Sequence, residues 1–148
     1  MDVNDYRFVS DWYLPADRDA TYDALVDVAS YPQWWPQVRS VEHDDGETAT
    51  VVVRSFLPYS LRVLTAQSRE DRGAGVLEAR LDGDMTGWSR WTLTSTGTGC
   101  AVRYEQQVVA RRALLRRLGL VARPFFRLNH AVMMRAGERG LRRYLGSD

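Results

Sequence analysis

The residue best placed for acid–base chemistry in this sequence is a histidine near the C-terminus. His130 follows Asn129 in a stretch whose apolar residues recur at helical spacing. An imidazole titrates near neutral pH, so it could act as an acid or a base, or donate a hydrogen bond to a ligand carbonyl. A histidine held by a neighbouring side chain, as a spacer between helix and sheet, is an equally good interpretation. The other histidine, His43, falls in the turn-like stretch EHDDG and is expected to be solvated.

Three further side chains could orient or polarise a ligand. Tyr104 and Gln106 lie two residues apart in a stretch that alternates as a strand, so both should point to the same side. They could hold a polar ligand head, although a tyrosine in such a position more often forms part of a wall. Arg54 shares a strand face with Val52 and Phe56. Facing inward it would anchor an anion or a carbonyl, and facing outward it would be solvated.

Several kinds of chemistry have no support in the composition. Every one of the 20 basic residues is arginine, which excludes a Schiff base or a lysine general base. The lone Cys100 cannot form an internal disulfide, and no carboxylate lies at ligand spacing from His130. The stretch GTGC at residues 97–100 lacks the spacing of a phosphate-binding loop, and no nucleophile elbow is present. We therefore expect no metal and no cofactor.

Hydrophobic periodicity predicts the elements that must position these residues. Residues 6–14 alternate as an amphipathic strand, and residues 17–29 have the acidic start and apolar spacing of a short helix, with room for one more short helix before two prolines stop it. Six alternating stretches within residues 38–110 predict an antiparallel meander. A short helix and then a long one from about Pro124 follow. We expect one α+β domain over residues 1–148, with a seven-stranded antiparallel sheet covered by the last helix.

The last predicted helix has an inner face of mixed character. Charged residues gather on the side expected to face solvent, namely Arg127, Arg135, Glu138 and Arg142. The opposite side combines Phe126, Asn129, His130, Met133, Gly137, Gly140 and Tyr144. Each interior glycine costs about 1 kcal/mol relative to alanine, so we expect either a close backbone approach or an internal space beside it.

The strands expected to face this helix are aromatic with scattered polar groups. Alternation puts three sets on the inner side, namely Leu77, Ala79 and Leu81, then Ser89, Trp91 and Leu93, then Tyr104, Gln106 and Val108. Apolar walls with a few convergent polar atoms are typical of a small-molecule pocket. The predicted ligand-binding residues are Ser89, Trp91, Leu93, Gln106, Val108, Phe126, Asn129, Met133 and Gly137.

Three parts of the chain together resemble the START-like SRPBCC superfamily, in particular its bacterial polyketide cyclase/dehydrase branch. They are the stretch LVDVASYPQWWPQVRSVE, the strands around GWSRWTL and CAVRYEQQV, and the final NHAVMMRAGERGLRRYL. The resemblance spans nearly the whole chain and implies the helix-grip fold. In that fold a curved sheet wraps the C-terminal helix and leaves an internal cavity for lipids, polyketides or other hydrophobic ligands. The superfamily includes carriers, cyclases and proteins without an established activity, so it specifies the fold better than the function.

The aromatic stretch SYPQWWPQV acquires a role from this resemblance. Tyr31, Trp34 and Trp35 are expected to belong to a wedge of two short helices between strands 1 and 2, against which the long helix rests. We favour this structural role over direct ligand contact, because buried aromatic residues mostly serve packing.

Charge is distributed unevenly along the chain, although the net charge is only +1. Residues 1–48 are rich in acids, and the segment Arg111–Arg127 holds six arginines and no acid among leucines. These arginines could pair with the acidic N-terminal third, or bind an anionic membrane surface or an acidic carrier protein. We expect no nucleic-acid partner, a monomer or homodimer, and a cytoplasmic location, since the N-terminal residues lack signal-peptide features.

Two functions follow as hypotheses. The leading one is binding, with or without transport, of a hydrophobic molecule such as a lipid or polyketide between sheet and helix. The alternative is a cofactor-independent polyketide cyclase, aromatase or dehydrase acting on a poly-β-ketone in the same cavity, with His130, Tyr104 and Arg54 polarising carbonyls. A cavity filled entirely by side chains would instead indicate an interaction module.

Overall fold

The computed structural model describes residues 5–44, 48–54, 60–111 and 122–146, and all structural statements concern these residues. The strands are β1 (Asp5–Leu14), β2 (Val38–His43), β3 (Thr48–Val53), β4 (Leu61–Asp71), β5 (Val76–Gly83), β6 (Met85–Ser95) and β7 (Cys100–Ala110). The helices are α1 (Arg18–Val26), α2 (Tyr31–Trp34) and α3 (Ala122–Gly146), with a 3₁₀ turn at Val28–Ser30. The short helix predicted just after residue 110 lies outside the described residues. No helix within the described ranges is both long and apolar enough to cross a membrane.

The seven strands form one antiparallel sheet in the order β1-β7-β6-β5-β4-β3-β2. Strands β2 to β7 follow one another as a meander. The last strand, β7, also pairs with β1 along the whole length of β1. The curvature of the sheet is helped by irregularities in register, one between Gln67 and Arg69 in β4 and one between Val38 and Ser40 in β2. The long helix α3 packs against β1 and α2. The predicted helix-grip architecture is confirmed.

Local signals place the short helices where the sequence predicts them. The side chain of Asp17 caps α1, because its carboxylate accepts a hydrogen bond from the amide of Ala20 at 2.7 Å. Pro32 occupies the first turn of α2, where its missing amide proton is not needed. The amide of Trp35 then donates to the carbonyl of Tyr31 at 2.8 Å and closes the helix.

The helices α2 and α3 meet through glycines and indoles. A side chain at Gly140 would collide with the carbonyl oxygen of Trp34, and a Cβ at Gly137 would lie 2.7 Å from the ring of Trp35 and 2.9 Å from that of Trp12. The indole of Trp35 donates to the carbonyl of Met133 at 2.8 Å. The two glycines therefore permit close approach of α3 to the aromatic stretch, which packs against the helix as expected, while Tyr31 and Trp35 also line the cavity described below.

The described acids of the N-terminal third pair with arginines of the sheet and of the turn that follows β4. Arg72 binds Asp19 and Asp23, and Arg103 binds Asp11 at 2.9 Å. The described arginines of α3 that reach the N-terminal strand bind backbone oxygens instead: Arg123 donates to Asp5 at 3.1 Å and Arg142 to Tyr13 at 2.8 Å.

Candidate functional site

A cavity of about 170 Å³ lies between the concave face of the sheet and α3. The buried apolar residues form two clusters, one around Trp12, Trp35 and Trp91 and the other around Tyr6 and Phe126. Members of both clusters contribute to the cavity wall, so the cavity separates two parts of the core. Side chains of the described residues do not close this gap.

The strand register places a polar row across the floor of the cavity. Phe8 lies opposite Gln106, Gln106 opposite Ser89, Ser89 opposite Ala79, and Ala79 opposite Gln67. All five residues line the cavity. Neighbouring strands are about 4.8 Å apart, so the two glutamine positions lie three strand spacings, roughly 14 Å, from each other. Between them the small side chain of Ala79 leaves space within the cavity.

Tyr104 stands next to this row with its hydroxyl already engaged. The phenol donates a hydrogen bond to Oε1 of Gln106, and its ring lies 4.4 Å from that of Trp91. Burial raises the pKa of Tyr104, against a smaller opposing effect of a hydrogen bond with Ser89. The group is therefore a neutral phenol at physiological pH and suits hydrogen bonding better than proton abstraction.

His130 faces the floor from α3. Its ring stacks on Phe8 with the centroids 3.8 Å apart, and it lies 6.1 Å from the ring of Tyr104. Desolvation by burial lowers the pKa of His130 to about 4, so the imidazole is neutral at pH 7. No side chain or backbone group among the described residues forms a hydrogen bond with its ring nitrogens. The imidazole thus offers one donor and one acceptor to the cavity.

Two buried polar atoms on the wall lack a hydrogen-bond partner within the described part of the chain. They are Oδ1 of Asn129 and the hydroxyl of Tyr6. Nδ2 of Asn129 donates to the sulfur of Met133, 3.7 Å away. Burial raises the pKa of Tyr6, whose ring packs edge-on against Phe126 with 5.1 Å between the centroids. Both atoms are covered by their surroundings, and unsatisfied buried polar groups of this kind are rare and costly.

Eight of the predicted site residues line the cavity. They are Ser89, Trp91, Tyr104, Gln106, Phe126, Asn129, His130 and Met133. The sequence-based prediction omitted Tyr6 and Phe8, which also line it, although the alternation of the first strand puts both on its aromatic face. It also omitted Gln67, although this residue continues the alternation of Leu61, Val63 and Thr65 on the inner face of β4.

Four predicted site residues lie elsewhere. Arg54 is exposed and its amide donates to the carbonyl of Gln37 at 2.8 Å, whereas Val51 and Val53 line the cavity. The inward alternative for Arg54 is therefore wrong, since residues of opposite parity face outward. The remaining three lie on the inner side but do not line the cavity. Leu93 and Val108 are covered by other core residues, and Gly137 by the rings of Trp35 and Trp12.

Only the ends of the basic segment Arg111–Arg127 fall within the described residues. Arg111 lies 3.8 Å from Asp84, and the guanidinium of Arg123 lies 4.8 Å from the ring centre of Tyr6. Arg127 is exposed. The described contacts of Arg111 and Arg123 thus involve Asp84, in the turn between β5 and β6, and Asp5 and Tyr6 at the start of β1.

Comparisons with known proteins agree with this geometry. Residues 14–136 match the family described as polyketide cyclase / dehydrase and lipid transport. No curated protein matches the sequence. The di-domain ARO/CYC StfQ from the steffimycin biosynthetic pathway is similar in structure, with a TM-score of 0.75 and 14% identity over 95% of this chain and 50% of that one. This chain thus spans about half of that protein's length.

Two further structures are similar over nearly their full length. A START superfamily protein from Mycobacterium smegmatis gives a TM-score of 0.72 at 15% identity over 94% of this chain and 96% of that one. The Zhui aromatase/cyclase from Streptomyces sp. R1128 gives 0.63 at 16% identity over 91% of this chain and 95% of that one. At such identities the likeness shows the fold alone. The family match over most of the sequence shows more: the chain belongs to the START-like polyketide cyclase/dehydrase and lipid transport family.

Proposed function

We propose that the chain binds a hydrophobic small molecule in the cavity between the sheet and α3. The observation behind this proposal is the cavity itself, about 170 Å³ of space walled by aromatic and aliphatic side chains within the core. An apolar cavity of about 150 Å³ is large enough for a benzene ring. The wall adds a small number of polar groups that could fix the orientation of a ligand.

The stability cost of such a cavity supports a functional interpretation. Space left between packed elements forfeits contacts that a filled core would make, so a gap of this size lowers stability relative to a filled core. Typical domains are stabilised by only ~5–15 kcal/mol, so such a loss is a substantial fraction of the total. A ligand that fills the cavity would recover part of this free energy.

Filling the cavity by mutation tests the proposal. Ala79 lies in the middle of the floor, so Ala79→Phe should occupy the space and weaken binding of an aromatic polyketide, a sterol or a fatty acid at least tenfold. The matched control is Thr94→Phe. It adds the same ring at an exposed position of the neighbouring strand β6, on the face of the sheet that points away from the cavity. Binding is measured by quenching of tryptophan fluorescence, since Trp35 and Trp91 line the cavity. Equal affinity of Ala79→Phe and the parent for every ligand would refute the proposal.

The alternative function is cyclisation of a poly-β-ketone in the same cavity. It is favoured by one observation, that the neutral His130 and Tyr104 face the same space with ring centres 6.1 Å apart. Both could polarise carbonyls of a folded chain. Arg54 has no part in it because its side chain is exposed. Product formation from a poly-β-ketone by the purified protein, lost in His130→Ala while binding persists, would establish the enzyme.

Delivery of the ligand would use an anionic partner. On α3 the exposed Arg127 and Arg135 flank the exposed apolar side chains of Leu128 and Val132. A basic surface with apolar residues suits either an acidic carrier protein or an anionic membrane, in a cytoplasmic setting. Co-sedimentation with anionic but not neutral vesicles would indicate the membrane, and a salt-sensitive complex with an acidic carrier protein would indicate the carrier.

A further inference from the structure

The cavity wall formed by the described residues presents no uncompensated charge. The one acidic residue among those that line the cavity is Glu78, whose carboxylate is bound by Arg90 at 2.7 Å. Because Leu77 and Ala79 point inward, this ion pair lies on the convex face. The phenol of Tyr31 donates to the carbonyl of Leu25 at 2.6 Å. A ligand in this space therefore meets apolar rings and neutral hydrogen-bonding groups.

On the helix side of the cavity, the hydrogen-bonding capacity that remains available is concentrated at His130, facing the glutamine side chains of the floor. The imidazole is held flat against Phe8, so its orientation is fixed without using either ring nitrogen. The hydroxyl of Tyr104 already donates a hydrogen bond to Oε1 of Gln106. Of the wall residues that α3 contributes, Asn129 also has an unpaired oxygen, but that atom is covered by its surroundings. The ring nitrogens of His130 are therefore the first polar atoms that a bound molecule would meet on the helix side.

Resting on the proposed function, we propose that His130 determines specificity, selecting an uncharged ligand that bears a hydroxyl group over a carboxylate of the same size. A hydroxyl can exchange one hydrogen bond with the neutral imidazole, which is worth about 0.5–1.5 kcal/mol. No described residue that lines the cavity is a cation, and Arg123, which lies over the ring of Tyr6, already donates to the carbonyl of Asp5. A carboxylate would therefore lose its water without gaining a counter-ion in the wall, and this costs far more than one hydrogen bond returns. The cavity thereby distinguishes neutral ring-containing alcohols from fatty acids.

Three probes of one shape test this inference in the intact chain. Naphthalene, 2-naphthol and 2-naphthoate share a ring system and differ in one substituent, and at pH 7 the phenol is neutral while the carboxylate is charged. Titration with each probe is followed by quenching of tryptophan fluorescence. We expect 2-naphthol to bind at least tenfold more tightly than 2-naphthoate and about 2–10-fold more tightly than naphthalene.

Substitution of the histidine isolates its contribution. His130→Phe keeps an aromatic ring on Phe8 and removes both nitrogens, so it should retain naphthalene affinity within twofold and lose the preference for 2-naphthol. His130→Gln keeps a neutral donor and acceptor and should retain part of that preference. His43→Phe, at the exposed end of β2, is the matched control and should behave as the parent.

The possible results separate this inference from the function on which it rests. Naphthoate binding as tight as that of naphthol would overturn selection for a neutral ligand. An undiminished naphthol preference in His130→Phe would overturn the role of His130. In both cases binding in the cavity would stand. If none of the three probes binds to folded protein, the binding function fails and the inference fails with it. The comparison of naphthol with naphthoate needs no variant, so a His130→Phe chain that did not fold would leave that test intact.

Discussion

At the scale of single residues, the burial of His130 on α3 makes the stability of the fold depend on pH. Its pKa is about 4 in the folded chain because burial disfavours the imidazolium, against about 6.5 in an unfolded chain. Between these values the unfolded state binds more protons, so the free energy of unfolding rises with pH. The stability is complete above about pH 6.5 and falls as the pH drops towards 4. The largest loss from this group is on the order of 3 kcal/mol.

The expected result is a decrease in the denaturation midpoint between pH 7.5 and pH 4.5 that is much smaller in His130→Phe. Carboxylates such as Asp71, whose pKa is lowered by hydrogen bonds from the Ala74 amide and Arg69, lose their contribution at lower pH in both proteins. The difference between parent and variant therefore isolates the histidine. Parallel pH profiles would show that its burial does not limit protonation.

Sequence reasoning located the residues of the site only as far as strand and helix periodicity allow. The inward direction of Tyr104 and Gln106 follows from a period of two, and that of His130 from a period of 3.6. The same periodicity could not distinguish Leu93, which is packed, from Trp91, which also lines the cavity, since both point inward. That distinction depends on how far the helix stands from each strand, and this distance is set by contacts between remote parts of the chain.

At the scale of elements, the distance between α3 and the aromatic wedge is fixed by Gly140. Gly140→Ala should destabilise the fold by about 1–3 kcal/mol, because the added methyl group collides with the backbone carbonyl of Trp34 and forces α2 and α3 apart. The gain in helix propensity, about 1 kcal/mol, offsets part of this cost. Gly146→Ala is the matched control near the end of the same helix, where an added Cβ meets no neighbour within 4 Å. Chemical denaturation gives both values, and equal stability of the two variants would contradict the close approach.

The sequence predicted a special role for this glycine but not which one. A glycine in a helix interior indicates either a close contact or a space, and the two alternatives differ only in what lies opposite. Glu138 likewise has a contact that helical periodicity could not predict. The helical wheel assigned it to solvent, yet its carboxylate accepts a hydrogen bond from the amide of Tyr13 at 2.9 Å. Because β1 is an edge strand, that amide has no strand partner on its outer side, and a helix wheel contains no information about sheet edges.

At the scale of the whole molecule, charges of alternating sign cross the convex face of the sheet. Arg7, Glu105, Arg90, Glu78 and Arg69 follow one another over β1, β7, β6, β5 and β4, with separations of 3.3, 3.9, 2.7 and 4.0 Å. The sequence predicted that the charged set of each strand faces water. It could not predict this row, since the row depends on the register between strands that are up to about 100 residues apart in the chain.

This row makes a collective contribution to stability that depends on salt. Glu78→Gln should lower the free energy of unfolding by about 1 kcal/mol at low ionic strength, because Glu78 lies between two arginines and is only partly exposed. Asp11→Asn is the control, since Asp11 and Arg103 form a more exposed pair outside the row, and its effect should be close to zero. At 1 M salt, where screening acts within about 3 Å, the cost of Glu78→Gln should fall by half or more. A cost that is equal at both ionic strengths would mean that Glu78 acts through packing, and that the alternating charges do not stabilise the curved sheet as a unit.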